Sequence, residues 1–220
     1  MAVEARKGPS ARGSVTKAVI SAAALAQIDE RGVAAFSMRQ LATDLGVTTM
    51  ATYWHARNRQ EVLDWVVELV LESVPPTPAA VGTWDEKIEE RLVVVRAKVL
   101  EHPNVIDLLG QGEHYIPAFA RNSNEIILLL GEGGFVGENR VFAFGTVMTY
   151  FYGSLLMARL HRGFPRPRDQ RMSEEALSWI PPDRVDPTIF GEFNSFDMPD
   201  EEQFRMAIRT LLAGLDDQWR

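Results

Sequence analysis

Residues 37–59 read SMRQLATDLGVTTMATYWHARNR, and the spacing within this stretch decides the fold. Ser37 and Gln40 have capping-box spacing, in which the hydroxyl accepts from an early helical amide while the glutamine reaches back to the cap. A helix is therefore predicted to start at Met38. Leu41 and Leu45 are four apart and face one core, Ala42 is small enough for a second helix to cross closely, and Gly46 can take the positive φ of a tight turn. Val47 then plugs the angle between the two helices. Thr48 is the predicted N-cap of a second short helix running to about His55, with Thr49, Met50 and Thr52 or Tyr53 pointing outward. Two short helices meeting at one glycine make a helix-turn-helix, and its second helix is the candidate reader of a DNA groove. An ordinary helical hairpin carries the same spacing, so the decision rests on the end of the stretch.

That end is Tyr53-Trp54-His55-Ala56-Arg57-Asn58-Arg59, a cluster of aromatic, hydroxyl, imidazole and guanidinium groups directly after the reader. Hydroxyls and cations suit phosphate oxygens. Asn58 and Glu61 repeat the capping-box spacing, which puts Arg59 in the first turn of the next helix, where the macrodipole disfavours a cation. A nearby phosphate would relieve that conflict.

Through LGV, TYWH and a basic residue four positions later, the chain resembles the tetracycline repressor (TetR) family of one-component regulators. The resemblance is strong over roughly residues 14 to 70 and weak beyond. It implies an all-α protein with a three-helix DNA-binding head and a larger helical body for ligand binding and dimerisation. It also implies that Arg39 contacts a guanine, that Thr49 and Met50 touch base edges, and that Tyr53, His55 and Arg59 hold phosphates. Lys17, Ser37, Thr48, Thr52 and Trp54 complete the expected DNA-contacting set. Two departures stand out. Met50 and Ala51 replace the proline and threonine of the tetracycline repressors, so the operator sequence does not carry over. Thr52 stands where the family usually has leucine or isoleucine, so it is expected to be buried with its hydroxyl bonded back to the Thr48 carbonyl.

Composition and charge agree with this reading. The net charge of −7 divides unevenly: residues 1–60 hold eight Lys or Arg against four Asp or Glu, a net of +4, which leaves −11 on the remainder. A basic head on an acidic body favours one docking orientation on a polyanion. With no cysteine there is no disulfide framework and no thiolate chemistry. The N-terminus lacks the apolar core of a signal peptide, and no run approaches the length of a membrane span, so a cytoplasmic protein is expected.

Helical periodicity continues along the chain. Residues 1–13 are read as a flexible basic arm, carrying Arg6, Lys7 and Arg12 toward a minor groove or serving only solubility. Residues 14–60 form the head, opening with a helix from Ser14 to Arg31 that Gly32 stops. Residues 61–78 form a connecting helix, which starts at Arg59 and ends before Pro75, Pro76 and Pro78. Residues 79–220 form the body, with helices predicted from Trp84 to His102, Ile116 to Leu130, Glu138 to His161 and Asp200 to Trp219. The proline-rich segment 162–199 shows no sustained period apart from a short helix at Ser173–Trp179. The wide apolar faces of the last two long helices suggest a four-helix seam between two subunits, and the resemblance implies the same. Filling of the monomer core is the alternative.

Four scattered histidines, no phosphate loop and no nucleophile elbow speak against an enzyme, a metal site or a cofactor. The expected function is a repressor that binds an inverted-repeat operator as a homodimer and is released by a small, mostly apolar effector. An activator, or a regulator controlled by a protein partner, carries the same head. Arg91, His114, Tyr115, Phe119, Phe142, Thr146 and Tyr150 combine apolar bulk with polar tips and are the candidate ligand contacts. A neighbouring glutamate such as Glu90 is the competing partner for Arg91. The resemblance argues against a metal-tetracycline ligand, because the asparagine, phenylalanine and magnesium-binding histidine of the tetracycline repressors become Arg91, Val95 and Leu109.

Overall fold

The computed structural model describes residues 15–76, 82–109, 116–163, 179–181, 184 and 200–219. The basic arm, His114, Tyr115 and nearly all of the Ser173–Trp179 segment lie outside these residues. Among the described residues the regular structure is entirely helical: α1 (Lys17–Arg31), α2 (Met38–Asp44), α3 (Thr49–Tyr53), α4 (Arg59–Glu72), α5 (Trp84–Glu101), α6 (Ile106–Leu109), α7 (Pro117–Glu132), α8 (Gly137–Gly163) and α9 (Asp200–Trp219), with short 3-10 turns at Val33–Ala35 and Pro103–Val105.

Local signals set these boundaries. Thr16, Ser37, Thr48 and Asn58 each accept a hydrogen bond from the amide three residues on, which satisfies one orphan donor at the start of α1, α2, α3 and α4. Glu86 accepts from the Thr83 amide at 2.9 Å, closing a capping box on α5. The glutamine and glutamate of the first two predicted boxes behave differently. The Gln40 amide donates to Asp44 Oδ1, and Glu61 Oε2 accepts from the Arg57 amide. Each box is half made, because a nearer partner captures the returning side chain.

The head closes on itself first. Ile20, Ala24 and Ile28 of α1 are fully buried with Leu41 of α2 and Val62, Leu63 and Val66 of α4. Asp44 fastens α2 to α1, accepting 2.7 Å bonds from Gln40 and from Gln27 of α1, and these bonds lower its carboxyl pKa. The connecting helix α4 packs on α1 and also on α5, α6 and α7, so one apolar core runs from the head into the body. Glu68 of α4 is buried, and its two oxygens accept from the Ala118 amide at 3.0 and 3.2 Å. The carboxylate thereby caps α7, whose own N-cap position, Ile116, has no side-chain acceptor. On the far side of the head, His102 Nδ1 lies 2.7 Å from Asp29 Oδ2, and Asn104 Nδ2 donates to the Ile28 and Asp29 carbonyls.

In the body, the apolar face of α9 is used within the subunit. Phe204, Ile208, Leu212 and Leu215 are buried, and α9 packs on α5 and α8. Arg205 and Arg209 of α9 converge on the buried Glu89 of α5, and Arg96 pairs with Asp200 at 2.7 Å while lying 4.8 Å over the Phe204 ring. The core-filling alternative thus holds for this face of α9. Helix α8 differs. It buries Ala143, Val147, Phe151, Leu155 and Ala158 but turns Val141, Phe142, Leu156, Met157 and Leu160 outward. An 18-residue window within Gly137–Leu160 has a mean hydropathy of 1.5, so by length and composition alone α8 could cross a membrane, a test that a core helix also passes. The segment has an inner and an outer apolar stripe in place of one continuous run.

Candidate functional site

The turn between α2 and α3 positions the reader. Gly46 has φ +66°, and a Cβ there would meet no atom within 4 Å, so backbone conformation alone selects glycine. The Val47 amide donates to the Ala42 carbonyl, and α3 begins one residue after the Thr48 cap. Helix α3 ends at Tyr53, two residues earlier than expected. Met50 and Trp54 are 68% and 83% exposed, high values for large apolar side chains, and Tyr53 is 44% exposed. Arg39, Thr48 and His55 are also exposed, Thr49 is half-buried, and Ser37 spends its hydroxyl on the α2 cap. The α2–α3 unit therefore presents hydroxyl, thioether, aromatic and cationic groups to solvent.

Three expected contact residues have partners within the protein. Thr52 is fully buried, and its hydroxyl donates at 2.7 Å to the Thr49 carbonyl, three residues back, in place of Thr48. The Thr48 carbonyl instead accepts from the Ala51 amide at 2.9 Å. This burial leaves Thr52 no surface for a base. Arg59 donates to the Val33 carbonyl at 2.8 Å and to the Phe36 carbonyl at 3.5 Å, with its guanidinium 5.3 Å over the Phe36 ring. The carbonyl ends of the Val33–Ala35 turn thus relieve the macrodipole conflict without a phosphate. Lys17 is exposed, with its ammonium 5.4 Å over the Trp65 ring.

The predicted ligand residues fall into two places. Phe142, Thr146 and Tyr150 line an open groove on the outer side of α8, together with Gly137, Val141, Gly145 and Thr149 and with Leu211 of α9. Tyr150 stacks on Phe204 at 5.6 Å. Arg91 and Phe119 instead line a small cavity between α5, α7 and α8, with Val95, Val99, Ile126, Met148 and Phe151. Its free volume is about 30 Å³, room for a water molecule or two. Leu71 of α4 also reaches this wall, and so do Asn122, Ser123 and Tyr152, which periodicity did not single out. A signal existed: in RNSNEIILLL, Asn122 and Ser123 share a helix face with Phe119 and Ile126, where apolar residues belong.

Arg91 is buried and held on three sides. It donates to the Pro75 carbonyl at 2.8 Å and to Asn122 Oδ1 at 2.5 Å, and its Nε lies 2.8 Å from Glu125 Oε2. The expected partner Glu90 instead meets Arg205. Burial pushes the Tyr152 hydroxyl up to about 12, so it is neutral at physiological pH. Val95 and Leu109 add only apolar surface to the wall.

An all-helical chain with a capped helix-turn-helix, an exposed reader helix and a helical body joined to it by α4 defines a class of DNA-binding regulators. Residues 20–66 match the family described as bacterial regulatory proteins, tetR family. Over 91% of its length the chain is 26% identical to the tetracycline repressor protein class G of Vibrio anguillarum, covering 93% of that protein. The fold matches Streptomyces coelicolor ActR in complex with actinorhodin, with TM-score 0.74 and 26% identity over 91% of this chain and 95% of that one. It also matches BioQ with its double-stranded DNA operator, with TM-score 0.64 and 22% identity over 93% and 100% of the two chains. Residues 20–66 thus carry the DNA-binding segment described for the tetR family, and the chain is similar to tetracycline repressors and to ActR over nearly its whole length.

Proposed function

We propose that the protein is a ligand-responsive repressor that binds an inverted-repeat operator as a homodimer and is released by a small, mostly apolar effector. The observation that carries the reading is the α2–α3 unit, which turns Arg39, Met50, Tyr53 and Trp54 to solvent while Met38, Leu41 and Ala42 build the head core. Arg39, Thr49 and Met50 are assigned to base edges, and Tyr53, His55 and the tail residue Trp54 to the flanking backbone. Lys17 and Arg59 border the same surface, and the remaining donors of their charged groups are assigned to phosphates. Residues 14–60 act as the reading head, 61–78 as the connector and 79–220 as the ligand-binding and dimerisation body, working in the cytoplasm where the DNA is.

Two features of α4 support ligand control. Leu71 borders the body cavity, and Glu68 grips the first turn of α7 on the cavity's other wall. A ligand larger than one or two waters must part α5, α7 and α8, and α4 moves with α7 because a buried carboxylate joins them. The effector therefore binds better to the conformation in which the heads are displaced. The outward stripe of α8, with Val141, Phe142, Leu156, Met157 and Leu160, supports dimerisation. A screen of small apolar molecules for thermal stabilisation, followed by gel shifts on an operator, tests the reading. Hits that raise Tm should release DNA, and stabilising cavity ligands that leave DNA binding unchanged would overturn ligand control.

A further inference from the structure

The segment that joins α1 to α2 has little backbone bonding of its own. Within residues 32–36 the Ala35 amide donates to the Gly32 carbonyl at 3.3 Å and the Phe36 amide to the Val33 carbonyl at 3.2 Å, both long bonds. Arg59, the first residue of α4, spans this segment. Its Nη2 donates to the Val33 carbonyl at 2.8 Å and its Nε to the Phe36 carbonyl at 3.5 Å, with the guanidinium 5.3 Å over the Phe36 ring. A planar guanidinium holds two acceptors in one fixed geometry, which an ammonium on a flexible stem does not. Phe36 leads directly into Ser37, the N-cap of α2, and the exposed Arg39 stands in the first turn of that helix. The other end of α2 is fastened separately, through Asp44 to Gln27 of α1. Arg59 thus ties the start of α2 to α4.

Resting on the reading in which Arg39 contacts a base, we infer that Arg59 is a positioning residue for Arg39: its carbonyl bonds fix the 33–36 turn, and with it the start of α2, before DNA arrives. A bidentate contact to a base edge tolerates little displacement, so the side chain that makes it needs a backbone held from behind. The main contribution of Arg59 to operator affinity therefore passes through Arg39 and is separate from any phosphate that its remaining donors reach. The Nε and Nη2 edge of the guanidinium, one of the two that can fork a phosphate, is already spent on the protein's own carbonyls.

Arg59→Lys keeps the charge and gives up the fork, whereas Arg59→Met gives up both. Each is made in the full chain, alone and with Arg39→Ala, and titrated by gel shift over a salt series on the operator that the native chain selects. Amide hydrogen exchange is followed in the DNA-free proteins. Arg59→Lys should bind about tenfold more weakly, the loss expected for a hydrogen bond to a charged group, with the salt slope of the native chain. In the Arg39→Ala background the same change should cost about twofold or less, because the two residues act as one unit. Both variants should exchange faster at residues 36–41 while the α5 amides keep native protection, a local loosening that shows the fold retained. Native affinity in Arg59→Lys would overturn the positioning role. So would an Arg59→Met loss that is equal with and without Arg39 and lowers the salt slope by about 0.9, the mark of a direct phosphate contact. Unchanged exchange at residues 36–41 in both variants would overturn it whatever the affinities. A native chain that selects no operator would instead overturn the repressor reading on which the inference rests.

Discussion

Gly46 shows most plainly how one residue commits the chain. Its positive φ is imposed by the turn, and its surroundings are open, so Gly46→Ala costs only backbone strain, about 1–2 kcal/mol. Urea unfolding should show a loss of that size, and an unchanged midpoint would mean that the turn relaxes. Reader residues act differently, because they support no core. Arg39→Ala should cost about 1–3 kcal/mol of operator affinity if the guanidinium pairs with a guanine, and Tyr53→Phe less, with both proteins melting as the parent does. Gel-shift titration beside thermal melting separates lost contact from lost fold. At this scale the sequence was legible where a residue answers to its own backbone, as at Gly46 and the caps at Ser37, Thr48 and Asn58. It was not legible where a distant partner decides. Arg59 reads as a free cation until the Val33 carbonyl, 26 positions away, is brought beside it. Thr52 was correctly expected inside, yet its hydroxyl meets the Thr49 carbonyl and not that of Thr48.

Among the helices, capping and proline signals set the ends of α2, α4 and α5 within a residue or two of expectation, since those signals lie within one turn of the end they set. Partition of apolar faces was harder to read. Both α8 and α9 carry broad stripes, and only packing reveals that α9 spends Phe204, Ile208 and Leu212 inside its own subunit while α8 keeps a second stripe outside. The split of the ligand candidates between an outer groove and an inner cavity has the same origin, because it depends on which face of α8 meets α5 and α7. The α7–α8 corner offers a test of this packing. A Cβ on Gly133 would come within 2.5 Å of the Trp84 ring, which itself packs edge-on to Phe135 at 5.3 Å. Gly133→Ala should therefore destabilise the body by about 1–3 kcal/mol, as overpacking of a tight core does. Calorimetric melting reads the change, and a wild-type Tm would mean that Trp84 moves aside freely.

Across the whole molecule, charge and shape act together. The +4 of residues 1–60 against −11 elsewhere orients the chain on a polyanion before any specific contact forms. DNA affinity should fall steeply with salt, by about 0.9 log unit per tenfold salt for each phosphate neutralised. The outer stripe of α8 suits a second copy or a lipid surface, and the reading commits to a second copy. Light scattering should report a dimer at micromolar concentration, and Phe142→Glu should give a folded monomer with weakened operator binding. A dimer unaffected by that charge would move the seam elsewhere. The central claim is that this head reads DNA as a symmetric pair, and selection from a random double-stranded library with the full chain tests it most directly. The expected result is enrichment of one inverted repeat with its half-sites about one helical turn or more apart, lost when Arg39→Ala is used for the selection. Enrichment of no sequence at physiological salt, or of an unpaired half-site bound by a monomer, would contradict it.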